Sequence, residues 1–221
     1  TAGEYDFIAP EKYAAYAKDA GIEICGTHYS WQRISEKTDE TMRYHEILGT
    51  TNIGIGAMPL EICDSLDAVK RFIDDVNTVA AKLATRGFKF TYHNHSFEFK
   101  KFHGKTMMDY LIEGFDPDNV SFVLDTYWVQ HGGYDICKMI KRLAGRVDIL
   151  HLKDMYITKQ DKYYVPYITE VGNGGLAWDR IMKTAEEIGV KHYIVEQDAN
   201  WQKTPFNSIK MSADFLEKYR K

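Results

Sequence analysis

Six short runs rich in Ile, Val, Phe and Tyr punctuate this chain: IEICGTHYS (22–30), TNIGIGAM (51–58), FKFTYHNH (88–95), VSFVLDTYWV (120–129), VDILHLKDM (147–155) and HYIVEQDA (192–199). Each has the length and residue types of a buried strand. Between them lie stretches with apolar residues at helical spacing, among them PEKYAAYAKDAG, DAVKRFIDDVNTVAAKLATRG, DICKMIKRLAG and WDRIMKTAEEIG. Several close on a glycine, Gly21, Gly87, Gly145 or Gly189, where a helix commonly ends in the left-handed conformation. Strand–helix alternation predicts a parallel sheet, either open and doubly wound or closed as a (β/α)8 barrel. A barrel takes eight strands and typically ~250 residues. With six legible strands, the barrel reading requires a chain lacking its first one or two βα units, with TAGEYDF as the tail of such a unit.

The 221 residues, 44% hydrophobic, are enough for one sizeable core and carry no Gly/Ser linker or low-complexity run, so one domain over 1–221 is expected. A net charge of −4 without long like-charged blocks gives no pull toward nucleic acid or an anionic bilayer. No run approaches the ~18 apolar residues that would span a membrane. Cys25, Cys63 and Cys137 are scattered, without a C-x-x-C pair, and read as reduced thiols of a cytoplasmic-type protein. The segment DMYITKQDKYYVPYITEVGNGGLAW, after the fifth strand, reads as a long irregular loop that walls or lids a site.

Ionisable residues cluster at the C-terminal ends of four of the strands: His93 and His95, then Asp125, then His151 with Lys153 and Asp154, then Glu196 with Asp198. Parallel α/β proteins bind ligands at that edge. The period of two puts His151 with Lys153 on one face, and Glu196 with Asp198 on one face. Asp125, His151 and Glu196 would then converge from three consecutive strands, a donor set suited to Mn²⁺, Mg²⁺, Co²⁺ or Zn²⁺. Singly, each has a plainer account: Asp125 as a helix cap, Glu196 paired with a lysine, His151 as a hydrogen-bonded strand end, Lys153 at the surface beside Asp154.

Together, YHNHSFEF, VLDTYWV, LHLKDM, VGNGGLAW and IVEQD, in this order across residues 22–199, resemble the xylose isomerase-like TIM-barrel superfamily, and within it the sugar phosphate isomerase/epimerase group. The resemblance implies a (β/α)8 barrel that starts here after the usual first two strands. It also implies one divalent metal held by Glu, Asp, His and Glu. Asp125, His151 and Glu196 match the last three; the first glutamate has no match. In its place stand His93, Asn94 and His95, with Glu98 beyond, so His95 or His93 is expected to supply the fourth donor, or Glu98 to reach back. The metal set expected is Asp125, His151, Glu196 and His95.

In such enzymes the metal polarises the carbonyl, an α-proton is removed through an enediolate, and carboxylates shuttle it. Glu196 is expected as one catalytic group, with Glu98, His95 or His28 opposite, and Lys153 on an oxyanion or phosphate. His28, His93, Trp128 and Asp198 are expected at the substrate, with Tyr127 and Trp201 as further stacking rings. VGNGG lacks the spacing of a nucleotide loop, and no organic cofactor is expected. The activity implied is isomerisation or epimerisation of a small carbohydrate, with dehydration of a keto-sugar or keto-cyclitol as the alternative. An endonuclease at abasic DNA would need more donors and a basic face. A non-catalytic, carbohydrate-binding remnant would expose sheet edges for a partner chain, such as a second copy, to cover.

Overall fold

The computed structural model describes residues 8–220, so TAGEYDF lies outside the described residues. The backbone divides into two compact units, Thr1–Phe122 and Val123–Lys221.

In the first unit, helix α1 (Pro10–Asp19) leads to strand β1 (Thr27–Tyr29), helices α2 (Trp31–Glu36) and α3 (Thr38–Leu48), strand β2 (Asn52–Ile55), a 3-10 turn at Leu60–Asp64, helix α4 (Leu66–Ala84) and strand β3 (Lys89–His93). A second 3-10 turn, Phe97–Phe99, precedes the small hairpin of β4 (Lys101–Phe102) and β5 (Lys105–Thr106), then helix α5 (Met107–Gly114). β1, β2 and β3 pair in parallel, Thr27 opposite Ile53 and Ile53 opposite Phe90. The sequence of α4 shows why it forms and where it stops. The Ser65 hydroxyl caps the Ala68 N–H, and Val69, Phe72, Ile73, Val76, Ala80 and Leu83 make one buried stripe. After it the chain turns at Gly87, which like Gly21, Gly145 and Gly189 has a positive φ, as expected of helix ends. Phe72, Tyr92, Phe115 and Phe122 meet edge-on or tilted in the core of this unit.

Strand β6 (Val120–Asp125), buried throughout, begins in the first unit and ends in the second. Beyond it come helices α6 (Thr126–His131) and α7 (Ile136–Arg142), strands β7 (Val147–Leu152), β8 (Asp154–Gln160) and β9 (Tyr163–Thr169), helix α8 (Trp178–Glu187), strand β10 (His192–Val195), helix α9 (Pro205–Leu216) and a 3-10 turn at Glu217–Tyr219. β7 and β10 are parallel, with Ile194 opposite His151.

The six expected strands are β1, β2, β3, β6, β7 and β10, against the eight of a closed barrel. Two expectations need correction. TYWV does not continue its strand: the Asp125 carboxylate accepts the Trp128 N–H at 3.0 Å and starts α6, so a helix cap overrides the β preference of Thr, Tyr, Trp and Val. The stretch after the fifth strand is not irregular: β8 and β9 form an antiparallel hairpin from Asp154 opposite Thr169 to Gln160 opposite Tyr163. Asp161, at φ 52°, makes its turn. Its strands are half-exposed, with Tyr163 and Tyr164 in solvent, which gives them the polar look of a loop.

Candidate active site

Within the second unit, Asp125, His151, Lys153, Glu196 and Asp198 come together. Asp125 ends β6 and is wholly buried; one carboxylate oxygen caps α6 and the other meets Lys153 Nζ at 3.2 Å. The helix-capping account and the ligand account therefore coexist in one side chain. His151 lies in β7, 1% exposed, with Nδ1 in close contact with Glu196 Oε2. Glu196 follows β10, and its backbone N–H extends the ladder to the Leu152 carbonyl, which sets its side chain beside Lys153. Asp198 lies at a turn beyond β10 with its side chain half in solvent.

Lys153 is 1% exposed, which rules out the surface account. Its Nζ lies 2.9 Å from Asp198, 3.2 Å from Asp125 and 3.5 Å from Glu196. Burial favours the neutral amine, but these carboxylates outweigh it and raise the ammonium above its ordinary range. The Thr126 hydroxyl fixes its backbone, accepting the Lys153 N–H at 3.0 Å and donating to the Lys153 carbonyl at 2.8 Å. Trp128 presents its ring 5.4 Å from Nζ, and Tyr127 packs against Trp128 and His131. Trp201 lies farther along the turn after Asp198, half-exposed, its indole N–H on the Gln197 carbonyl.

Asp154 does not pair with Lys153. Its buried carboxylate accepts the N–H groups of Met155, Gly172, Gly174 and Leu176, and the indole N–H of Trp178 at 2.6 Å. The VGNGGLAW motif is thus wrapped around a protein carboxylate, and its backbone nest already holds an anion. A Cβ on Gly174 would stand 2.4 Å from Asp154 Oδ1, which is why glycine is needed there. Glu170, also buried, accepts the hydroxyls of Ser208 and Thr169. The sequence placed Asp154 beside Lys153 and did not single out Glu170; the acid-glycine order of EVGNGG was the available signal for the latter.

Within the first unit, His28, His93 and His95 form a ring cluster, with centroids 5.0 Å apart for His28 and His93 and 4.9 Å for His93 and His95. His93 Nδ1 is 2.8 Å from the Gly56 carbonyl. A carbonyl only accepts, so Nδ1 carries the proton and Nε2 the lone pair. His95 stacks on Phe97, and its backbone N–H donates to Glu98 Oε2. Glu98 is fully buried, with Oε1 taking the Tyr92 hydroxyl at 2.8 Å. Burial pushes its carboxyl up to about 7, against the pull of these donors. Asn94 is buried, its amide on the His95 carbonyl.

The chemistry of the second unit's donors suits a divalent cation: one oxygen each from Asp125 and Glu196 and one nitrogen from His151 lie within 4.8 Å of one another. Among the described residues no helix is long and apolar enough to cross a membrane.

A family model described as a xylose isomerase-like TIM barrel matches residues 4–219. A sugar phosphate isomerase/epimerase from Parabacteroides distasonis ATCC 8503 superposes with a TM-score of 0.79 at 26% identity, over 95% of this chain and 76% of that one. The probable 3-DHS dehydratase AsbF of Bacillus anthracis shares the fold, with a TM-score of 0.68 at 12% identity over 98% and 83% of the two chains. The inosose dehydratase of Geobacillus kaustophilus (strain HTA426) is 32% identical over 89 residues, which are 38% of this chain and 26% of that protein. The chain thus matches about a quarter of the length of that curated relative.

Proposed function

The chain belongs to the xylose isomerase-like TIM-barrel family, and on that premise we propose that it is a divalent-metal-dependent isomerase or epimerase of a sugar or sugar derivative. The observation that carries this reading is the convergence of Asp125, His151 and Glu196 about the buried ammonium of Lys153. These three would hold Mn²⁺, Mg²⁺, Co²⁺ or Zn²⁺. In the first unit His93 has its Nδ1–H committed to the Gly56 carbonyl, which leaves Nε2 as its lone-pair nitrogen. A bound ion would supply Lewis-acid polarisation of the substrate carbonyl.

Glu196 takes the proton α to that carbonyl and returns it. Lys153, kept protonated by its carboxylates, donates a hydrogen bond to the substrate oxygen on which charge develops. Trp128 walls the sugar on the Lys153 side, and His28, His95 and Glu98 are the candidates for the second proton carrier. Because Glu98 has both oxygens engaged and a carboxyl near neutral in pKa, it acts through the His95 turn unless that turn opens.

A second reading, dehydration, is favoured by the 32% identity to an inosose dehydratase. There Glu196 takes the α-proton, the β-hydroxyl leaves with a proton from Lys153 as water, and a carbon–carbon double bond remains. Incubation with Mn²⁺ or Co²⁺ and a panel of ketoses and keto-cyclitols in D₂O, followed by proton NMR, tests both. Exchange of the α-proton with a new epimer or aldose supports isomerisation, and exchange with loss of water supports dehydration. No exchange with any substrate, in a protein that takes up no metal, overturns both. Elemental analysis of the parent against Asp125→Ala, Glu196→Ala and His95→Ala checks the ligand set.

A further inference from the structure

We infer that Glu170 is a positioning residue for the turn that carries Glu196 and Asp198. Glu196 stands beyond the last residue of β10, its N–H on the Leu152 carbonyl, and farther along the turn the Asn200 amide reaches the Ile168 carbonyl of β9 and the Tyr156 hydroxyl. The path of the turn includes two non-glycine residues at positive φ, Asn200 at 63° and Lys203 at 68°, a backbone that persists only where its surroundings hold it. Glu170, just past β9 and 1% exposed, supplies the hold. Its Oε1 accepts the Gln197 side-chain amide at 3.3 Å, the Gln202 N–H at 3.1 Å and the Ser208 hydroxyl at 2.6 Å. Gln197 lies between Glu196 and Asp198 in sequence, so this amide ties the acid–base segment directly to the carboxylate. Ser208 in α9 closes the ring by accepting the Gln202 N–H at 2.8 Å. Oε2 takes Thr169 Oγ1 at 2.9 Å and the Asn173 amide at 3.5 Å, which join the clamp to the glycine motif.

These partners are neutral donors. A carboxylate offers them lone pairs on two oxygens, whereas a glutamine in its place presents an NH₂ to groups that are themselves donors. Burial raises the Glu170 carboxyl, but the hydrogen bonds from Ser208, Gln197 and Thr169 bring it down to about 2, so the clamp stays charged at any working pH.

The inference rests on Glu196 being a metal ligand, and the experiment separates the two. Co²⁺ alone is titrated calorimetrically into the parent, Glu170→Gln and Ser208→Ala, with amide hydrogen exchange over residues 196–203 and the melting temperature of each. Loss of a group that orients a ligand typically costs roughly 10–100-fold in metal affinity, expected here for Glu170→Gln, with a smaller loss in the same direction for Ser208→Ala and faster exchange in both. A Glu170→Gln protein that melts lower yet binds Co²⁺ as tightly as the parent overturns the inference. If the parent takes no Co²⁺, the metal reading fails by itself and exchange decides. Faster exchange at 196–203 in both variants then upholds the clamp, and unchanged exchange overturns it.

Discussion

Four carboxylates of the second unit divide into two kinds. Asp154 and Glu170 have both oxygens covered by backbone N–H groups, hydroxyls, amides and an indole, whereas Asp125, with one oxygen on the Trp128 N–H, turns the other to the Lys153 ammonium, and Glu196 faces that ammonium and an imidazole. The first kind spends its charge on fixing chain. The second keeps partners that a substrate or a metal can displace, at a cost the neighbouring Lys153 offsets. Burial does not separate them, since Asp125 and Asp154 are both fully buried; the identity of the donors does.

Asp154 is where the two kinds differ most in what a substitution costs. Asp154→Ala leaves at least four N–H groups without their acceptor, each worth about 1–3 kcal/mol when buried and unpaired, so soluble yield or the thermal midpoint should collapse. Glu196→Gln should do the reverse, with activity down on the order of 10³-fold and the chemical-denaturation midpoint almost unmoved, as steady-state rates and a urea titration would show. If both variants fail by unfolding, the division is wrong.

The first unit sharpens the same point with two pH limbs of opposite sign. His45 is buried, its Nδ1–H on the Thr41 carbonyl and its Nε2 taking the Thr27 hydroxyl. Burial holds it neutral and lowers its pKa to about 4. An unfolded histidine protonates near 6.5, so stability is full above that pH and falls toward pH 4, by about 3 kcal/mol at ~1.4 kcal/mol per unit. Urea unfolding of the parent against His45→Gln should reveal this limb by its loss. Glu98, raised to about 7, stabilises fully below its unfolded value of 4.5 and loses that contribution as pH rises through 7. Glu98→Gln should flatten the pH 5–7 part of the curve by a similar amount. The smallest effect is expected at Gly174→Ala, whose Cβ meets Asp154 and the Met155 carbonyl at 2.4 and 2.5 Å. Overpacking of this kind costs about 1–3 kcal/mol, visible as a lowered melting temperature with Co²⁺ affinity retained.

Strands and their polar ends were legible because period and residue type carry them: Ile53, Phe90, Val123 and Ile149 read as core and are core. The helix α6 was hidden because Tyr, Trp and Val favour strands, and only the Asp125 cap, a three-residue relation, says otherwise. The β8–β9 hairpin was hidden by its exposure, which removes the apolar alternation that marks a half-buried strand. At the site, Asp125, His151, Lys153 and Glu196 were nominated by position on consecutive strands. The duties of Glu98, Asp154 and Glu170 depend on partners such as Tyr92, Trp178 and Ser208, whose approach is a tertiary fact with no local pattern.

The Asp154 nest also fastens the two feet of that hairpin. Gly172 and Gly174 bind the aspartate that begins β8, and the Gly175 N–H donates to the Met155 carbonyl at 2.8 Å. Everything between Met155 and Val171 is therefore a closed protrusion whose base carries its own fastening. Lengthening a loop costs only ~0.6 kcal/mol per doubling when its ends are already held. The tip at Asp161 and Lys162 is thus a port where a peptide tag, a fluorophore or a foreign recognition loop can be grafted while the chemistry at its foot is left undisturbed.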